Sequence, residues 1–271
     1  SHGAGARCDL IVKLRGLERH RAGEAESPGA GRVVKPLVYV ADSHLTGDDP
    51  EVDSFIRFLE RVGPTAATLY LLGDLFNVWF GEAKFRMPHQ QRVLDALARL
   101  AGAGVPIKFV EGNRDFSIRR NHLGAPFADV GVESLVESYG DRRILAAHGD
   151  EVNRSDRQYR LWKRVSKSFA VYGLFRRLPG SWGIRLGERL ERKLSGTNIR
   201  HKSFFPMEEC RVWAEQVFAG GCDTIVLGHF HEEREMDLAG GTLFVLPTWR
   251  GHHRYLEFAG NGRGRFLDFP D

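Results

Sequence analysis

Five groups of potential metal-binding residues each follow directly after a short apolar segment of this sequence. The groups are Asp42-Ser43-His44, Gly73-Asp74, Gly112-Asn113-Arg114-Asp115, His148-Gly149-Asp150 and Gly228-His229-Phe230-His231. One group alone is weak evidence, since Asp-x-His and Gly-Asp also occur in ordinary turns. Five groups in the same position relative to an apolar segment indicate that they form one site.

The mixture of carboxylate, imidazole and amide side chains is typical of a site for divalent cations. Two such cations can hold both the attacking and the leaving oxygen of a phosphoryl transfer. With only two carboxylates, Asp42 and Asp74, a site of two divalent ions keeps a charge of about +2, which attracts phosphate. The ligand types favour Mn2+, with iron or zinc as alternatives. The sequence therefore predicts hydrolysis of a phosphoester with two divalent metal ions as cofactors.

The apolar segments are predicted to be buried strands, because they are short, rich in β-branched residues and ended by turns. Strands are predicted at residues 37–41, 68–72, 107–110, 143–147, 224–227, 242–246 and 254–258, and helices at 52–62, 89–101 and 207–219. This alternation predicts an α/β sandwich with a mixed sheet. Polar groups that follow its strands should meet in one crevice at their carboxyl ends.

Residues 156–205 depart from this alternation and are predicted to form an inserted helical lid. Residues 33–155 and 206–271 then form the core, and residues 1–32 a flexible tail. Residues 151–206 contain 14 Lys or Arg and 4 Asp or Glu, a net charge of +10 in a chain of net charge +4. Such a basic segment predicts an anionic partner, which from the residues alone could be lipid headgroups, nucleic acid or a phosphorylated substrate.

Several functional classes are disfavoured by composition. No apolar run approaches the roughly 20 residues that cross a bilayer, and no signal peptide is predicted. The three cysteines, Cys8, Cys210 and Cys222, do not form a disulfide pattern, so a reducing cytoplasm is expected.

The five groups, in this order over roughly residues 37–250, resemble the motifs of the calcineurin-like metallophosphoesterase superfamily. The resemblance implies a four-layer α/β/β/α sandwich. It also implies that one metal ion is bound by Asp42, His44, Asp74 and His231. The second ion would be bound by Asp74, Asn113, His148 and His229, so that Asp74 bridges the two.

A narrower resemblance depends on Arg114, which stands where many superfamily members have histidine. The segments Gly112-Asn113-Arg114-Asp115-Phe116 and Gly73-Asp74-Leu75-Phe76, with Trp79 after the second, resemble the bacterial UDP-2,3-diacylglucosamine pyrophosphatases of lipid A synthesis. That family implies a cytoplasmic enzyme at the inner membrane, which releases UMP and 2,3-diacylglucosamine 1-phosphate. Its expected partners are the UDP-linked substrate and the anionic membrane surface, and nucleic acid is not expected. The chain departs from the family pattern at Phe230, at Gly81-Glu82 and at Pro247-Thr248-Trp249.

The narrower resemblance also implies roles for individual residues. Arg114, Asn113 and His148 would act at the reacting phosphate, and Asp156 and Tyr159 would join Arg114 in contacting the substrate. Arg200 and Lys202, where the lid returns to the core, are further candidates for phosphate or sugar. Inner apolar faces of the lid are expected to receive acyl chains, through Trp162, Phe169, Phe175, Trp182 and Leu186.

Three alternatives remain open from the sequence. The lid could be an ordinary helical pair that only packs on the core. The enzyme could act on another phosphodiester, a nucleotide, a phosphoprotein or nucleic acid. A catalytically inactive scaffold of the same fold would lack ligands, and none is missing here. Four histidines that do not follow strands are predicted to lie at the surface, namely His89, His122, His252 and His253.

Overall fold

The computed structural model describes residues 34–47, 49–152, 165, 167–195, 205–260 and 262–270. The predicted tail, residues 1–32, lies outside these ranges. So do four of the predicted substrate contacts, namely Asp156, Tyr159, Arg200 and Lys202, and so does Trp162 of the predicted acyl-binding face.

Strands and helices follow one another as the α/β class requires. The strands are β1 Leu37–Val40, β2 Thr68–Leu71, β3 Trp79–Phe80, β4 Ile107–Val110, β5 Asp115–Phe116, β6 Asp129–Gly131, β7 Ser134–Tyr139, β8 Arg142–Ala147, β9 Thr224–Leu227, β10 Arg234–Leu238, β11 Gly241–Val245, β12 Arg254–Phe258 and β13 Gly264–Asp268. The helices are α1 Glu51–Arg61, α2 Pro88–Gly102, α3 Ile118–His122, α4 Phe169–Phe175, α5 Gly180–Ser195 and α6 Met207–Ala219. All seven predicted strands and all three predicted core helices are confirmed, with small shifts at their ends.

The predicted strands form two mixed sheets, whereas the strand pattern alone indicated one. A six-stranded sheet has the order β13-β12-β1-β2-β4-β6, in which β1, β2, β4 and β6 are parallel. A five-stranded sheet has the order β10-β11-β9-β8-β7, in which β11, β9 and β8 are parallel. The strands β3 and β5 pair separately in a two-stranded sheet.

Alternate residues of the parallel strands pack on opposite faces, because side chains along a strand point in alternate directions. In β1, Val38 and Val40 belong to a core cluster with apolar residues of α1 and α2. Leu37 and Tyr39 belong to a second cluster, which joins the two sheets. A third cluster joins the other face of the five-stranded sheet to α6. Burial on both faces explains why these strands are continuous apolar runs.

The described part of the lid packs on β3 and on the loop that follows it. The Phe175 ring lies 4.3 Å from the Phe80 ring and 4.7 Å from the Phe85 ring, measured between centroids. Lys84 Nζ donates to the carbonyl oxygen of Leu178 at 2.9 Å. Trp182 is 63% and Leu186 is 36% exposed, so the expectation that these two side chains lie on an inner face is wrong. Among the helices that the structure describes, none has the length and apolar character to span a bilayer.

Candidate metal centre

One group of donor atoms lies where β1 and β9 end. His231 Nε2 is 3.0 Å from Asp42 Oδ1 and 3.2 Å from His44 Nε2. His44 Nε2 is 3.7 Å from the same Asp42 oxygen. These three residues offer ligand atoms that all lie within 4.8 Å of one another. One oxygen and two imidazole nitrogens therefore face a common point.

A second group of donor atoms surrounds His148, which follows β8. His148 Nε2 lies 3.1 Å from Asn113 Oδ1 and 3.2 Å from His229 Nδ1. Asp42, Asp74 and His148 also offer ligand atoms within 4.8 Å of one another. The second group thus combines carboxylate, amide and imidazole donors.

Asp74 lies between the two groups. Its Oδ1 atom is 3.9 Å from His148 Nε2, and its Oδ2 atom is 3.9 Å from His44 Nε2. The structure therefore brings together all seven residues predicted as ligands, namely Asp42, His44, Asp74, Asn113, His148, His229 and His231. These residues lie in loops that follow strands of both sheets, so the site lies at the end that the two sheets share.

The backbone at these positions is unusual. Five of the seven residues have a positive φ, namely Asp42 at 52°, His44 at 45°, Asp74 at 51°, His229 at 72° and His231 at 58°. This conformation costs a non-glycine residue about 1 kcal/mol or more, and such residues cluster at functional sites. Backbone hydrogen bonds between the loops offset part of this cost, including one from His44 N to the carbonyl oxygen of Asp74 at 2.9 Å.

Glycine is required where two of the loops cross. Gly73 has a φ of 79°, and a Cβ atom there would lie 2.6 Å from Gly112 N and 2.7 Å from His148 Nδ1. A Cβ atom on Gly112 would lie 2.3 Å from Asp74 Oδ1. The glycines of the Gly-Asp and Gly-Asn motifs therefore allow the ligand loops to approach each other.

The electrostatic environment is that of a site with excess negative charge. Burial and the Asp74 carboxylate raise the pKa of Asp115 to about 7, although backbone N–H groups of Gly112 and Asp74 donate to it. Burial lowers the pKa of His148, but the carboxylates of Asp74, Asp42 and Asp150 outweigh burial and raise it overall. The raised pKa of His148 shows that the surrounding carboxylates stabilise added positive charge at the site.

The donor set fits divalent cations on these grounds. His148 Nδ1 lies 2.8 Å from the carbonyl oxygen of Leu72, so it is suited to donate its proton there and to leave Nε2 as a ligand. The lone pair of Nε2 then faces Asn113 Oδ1 at 3.1 Å. A cation bound by both atoms would offset the repulsion between these two electron-pair donors. The mixture of oxygen and imidazole ligands suits Mn2+, iron or zinc.

Arg114 lies beside this centre. Its backbone N–H donates to Asp74 Oδ1 at 2.9 Å, and its Nε atom lies 3.7 Å from Asp74 Oδ2. The guanidinium also contacts Asn77, whose side-chain oxygen accepts a hydrogen bond from Arg114 Nη1. The side chain predicted to act on phosphate is thus placed next to the carboxylate that links the two donor groups.

Several polar residues near the site were not predicted from the sequence. Lys167 Nζ donates to the carbonyl oxygen of Gly112 at 2.8 Å, and Thr248 Oγ1 donates to that of Asp42 at 2.6 Å. Asn77 is the third such residue. The positions of Lys167 and Asn77 depend on contacts between lid and core, for which the local sequence contains no signal.

The prediction that His89 and His122 lie at the surface is wrong, because each is only 4% exposed. His122 Nε2 lies 3.0 Å from the carbonyl oxygen of Gly81, and burial followed by the charge of Arg86 lowers its pKa to about 4. His89 Nε2 lies 3.5 Å from Glu191 Oε1 of α5. Both imidazoles therefore serve as internal polar groups outside the donor set.

A family model identifies the kind of protein to which this geometry belongs. The model of the calcineurin-like phosphoesterases matches residues 35–233, which include all five groups of potential metal-binding residues that follow strands. The chain belongs to the calcineurin-like phosphoesterase family. Members are metal-dependent phosphoesterases, and the buried Asp and His clusters of this chain form its candidate metal centre.

Relatives over most of the chain have one shared name. A UDP-2,3-diacylglucosamine hydrolase of Ralstonia nicotianae is 30% identical, over 89% of this chain and 91% of its own length. Hydrolases of the same name from Edwardsiella ictaluri and Neisseria meningitidis are 32% and 30% identical, over 83% and 82% of this chain and 89% and 92% of their own lengths. These similarities extend through the segment that includes the lid.

Proposed function

We propose that this chain hydrolyses the pyrophosphate bond of UDP-2,3-diacylglucosamine to UMP and 2,3-diacylglucosamine 1-phosphate. The observation that supports this most is the guanidinium of Arg114 beside the paired donor groups, in a chain whose relatives have that name. A planar guanidinium can bind two phosphate oxygens and stabilise charge without giving up a proton. UMP is a weaker base than an alkoxide, so its departure requires less help from an acid.

The proposed roles of the metal ligands and of Arg114 are supported by the positions of these side chains. Asp42, His44, Asp74 and His231 would hold one ion, and Asp74, Asn113, His148 and His229 the other. When bound, the two ions would supply positive charge to the phosphate oxygens and activate a water molecule. Arg114 orients the diphosphate, and Asp156, Tyr159, Arg200 and Lys202 are proposed contacts to the rest of the substrate. The three core clusters support a four-layer α/β/β/α arrangement with the lid at the site.

Substrate preference tests this proposal. Purified protein loaded with Mn2+ should release UMP from UDP-2,3-diacylglucosamine with a kcat/KM at least tenfold higher than from deacylated UDP-glucosamine. A matched reaction on bis-p-nitrophenyl phosphate measures the activity of the metal centre alone. Equal rates on the two UDP-sugars would refute the lipid assignment. The enzyme would then be a phosphoesterase that acts on another substrate.

The lid is proposed to bind the anionic surface of the inner membrane, with the enzyme on the cytoplasmic side. Leu174 is 68% and Trp182 is 63% exposed, and the neighbouring Arg176 and Arg177 are exposed as well. Exposed apolar residues beside basic ones are typical of a surface that enters the headgroup region. Each basic residue close to anionic lipid contributes about 1 kcal/mol.

Flotation with lipid vesicles tests the membrane surface. The protein should bind vesicles that contain phosphatidylglycerol, and the combined change Leu174→Ser and Trp182→Ser should weaken binding at least fivefold at high salt. Val212, which is 41% exposed on α6, offers the control Val212→Ser, which should have no effect. Equal binding by all three proteins would contradict this part of the proposal.

A further inference from the structure

Asn77 is a buried asparagine that contacts both the lid and the candidate catalytic arginine. It is 1% exposed and lies three residues after Asp74, in the segment between β2 and β3. Its Nδ2 atom donates to the carbonyl oxygen of Glu191, in α5, at 3.1 Å. Its Oδ1 atom accepts a hydrogen bond from Arg114 Nη1, and its own carbonyl oxygen lies 3.4 Å from the same nitrogen.

The amide is the side-chain type that these two contacts require. A guanidinium only donates hydrogen bonds, and a backbone carbonyl only accepts them. One side chain that serves both must offer an acceptor to Arg114 and a donor to Glu191. A carboxylate at position 77 would keep the first contact and lose the second, whereas an apolar side chain would lose both.

The contact to Arg114 determines where its guanidinium lies. The backbone N–H of Arg114 is bound to Asp74 Oδ1 at 2.9 Å, which fixes the start of the side chain. The two oxygens of Asn77 hold Nη1 at the far end, and Nε then lies 3.7 Å from Asp74 Oδ2. An arginine held at both ends loses less conformational freedom when it binds a phosphate.

We infer that Asn77 is a positioning residue that links the packing of α5 on the core to the orientation of the Arg114 side chain. The lid then does more than cover the substrate, because its docked position supports the arginine that acts on the phosphate. This inference rests on the proposed role of Arg114, but it does not depend on which phosphoester is the natural substrate.

A double-mutant cycle on bis-p-nitrophenyl phosphate tests the inference independently of the lipid assignment. Asn77→Leu should lower kcat about tenfold, with KM and metal content unchanged, because one interaction that orients a catalytic group is lost. In the Arg114→Ala background the same change should lower kcat less than twofold, since the group it orients is absent. Asn121→Leu is the control, because it removes an exposed amide whose Nδ2 donates to the Ser117 carbonyl oxygen, and its kcat should stay within twofold.

Asn77→Asp separates the two contacts and replaces Asn77→Leu in the cycle if that variant does not fold. It keeps an acceptor for Arg114 and loses the donor to Glu191, so its kcat should fall between those of wild type and Asn77→Leu. Multiplicative losses in the double variant would overturn the inference and leave the role of Arg114 intact. An Arg114→Ala variant with full activity would overturn both. Neither result bears on the identity of the UDP-linked substrate, which the separate comparison of acylated and deacylated substrates tests.

Discussion

At the scale of single residues, Asp74 is the carboxylate that links the two donor groups. Its Oδ1 atom lies 3.9 Å from His148 Nε2, and its Oδ2 atom lies 3.9 Å from His44 Nε2. We expect Asp74→Ala to abolish turnover and to reduce bound metal below one ion per chain, because one side chain serves both sites. Metal analysis after gel filtration, alongside initial rates, checks this. Asp95→Ala, on the exposed face of α2, should keep full metal content, and two ions bound to Asp74→Ala would contradict the assignment.

The residues of the site could be predicted from the sequence where their signal is local. Asp42, Asp74 and His148 each follow a buried apolar run directly, so their position at a strand end is visible in the sequence itself. Asn77 and His89 could not be identified in this way. Their roles depend on α5, which packs against them from a segment about a hundred residues later in the chain.

At the scale of elements, the turn after β2 depends on close contact with the turn after β4. Gly73→Ala would place a Cβ atom 2.6 Å from Gly112 N, at a φ of 79°. Gly104 also has a positive φ, 88°, but a Cβ atom there would meet nothing within 4 Å. Gly104→Ala therefore introduces the backbone strain without the steric overlap, which makes it the matched control.

The two glycine variants should differ in both stability and metal binding. Gly104→Ala should lower the free energy of unfolding by about 1–2 kcal/mol and keep activity. Gly73→Ala should lower it by roughly 3 kcal/mol or more and lose metal, since Gly112 or His148 must move. Denaturant unfolding with metal analysis measures both effects. Equal losses in the two variants would show that the approach of the loops is not tight.

The sequence predicts elements well where both faces of a strand are buried, and poorly elsewhere. β1 and β9 are continuous apolar runs and were predicted within one residue of their ends. β10 reads Arg-Glu-Met-Asp-Leu, in which Met236 and Leu238 alternate with exposed charged residues, but two apolar positions are too few to predict a strand. The division into two sheets could not be predicted from the strand pattern, because it is set by pairings between distant strands rather than by local periodicity. Only the family resemblance implied two β layers.

At the scale of the whole molecule, the candidate metal centre connects the two sheets. Asp42, Asp74 and Asn113 follow strands of the six-stranded sheet, whereas His148, His229 and His231 follow strands of the five-stranded sheet. Bound ions would therefore add cross-links between layers that pack on each other largely through apolar side chains. In their absence, the buried carboxylates of Asp42 and Asp74 repel each other near the end of that interface.

Metal removal should consequently destabilise the entire fold rather than the loops alone. A ligand at a hundred times its dissociation constant stabilises the native state by about 2.7 kcal/mol, and 1 kcal/mol shifts the Tm of a chain of this size by about 2–4 °C. We expect chelation with EDTA to lower the Tm by about 5–10 °C, and excess Mn2+ to restore it. Asp74→Ala is the control, because its Tm should respond far less to either treatment. A wild-type Tm that is the same with and without chelator would mean that ions at this site do not stabilise the contact between the two sheets.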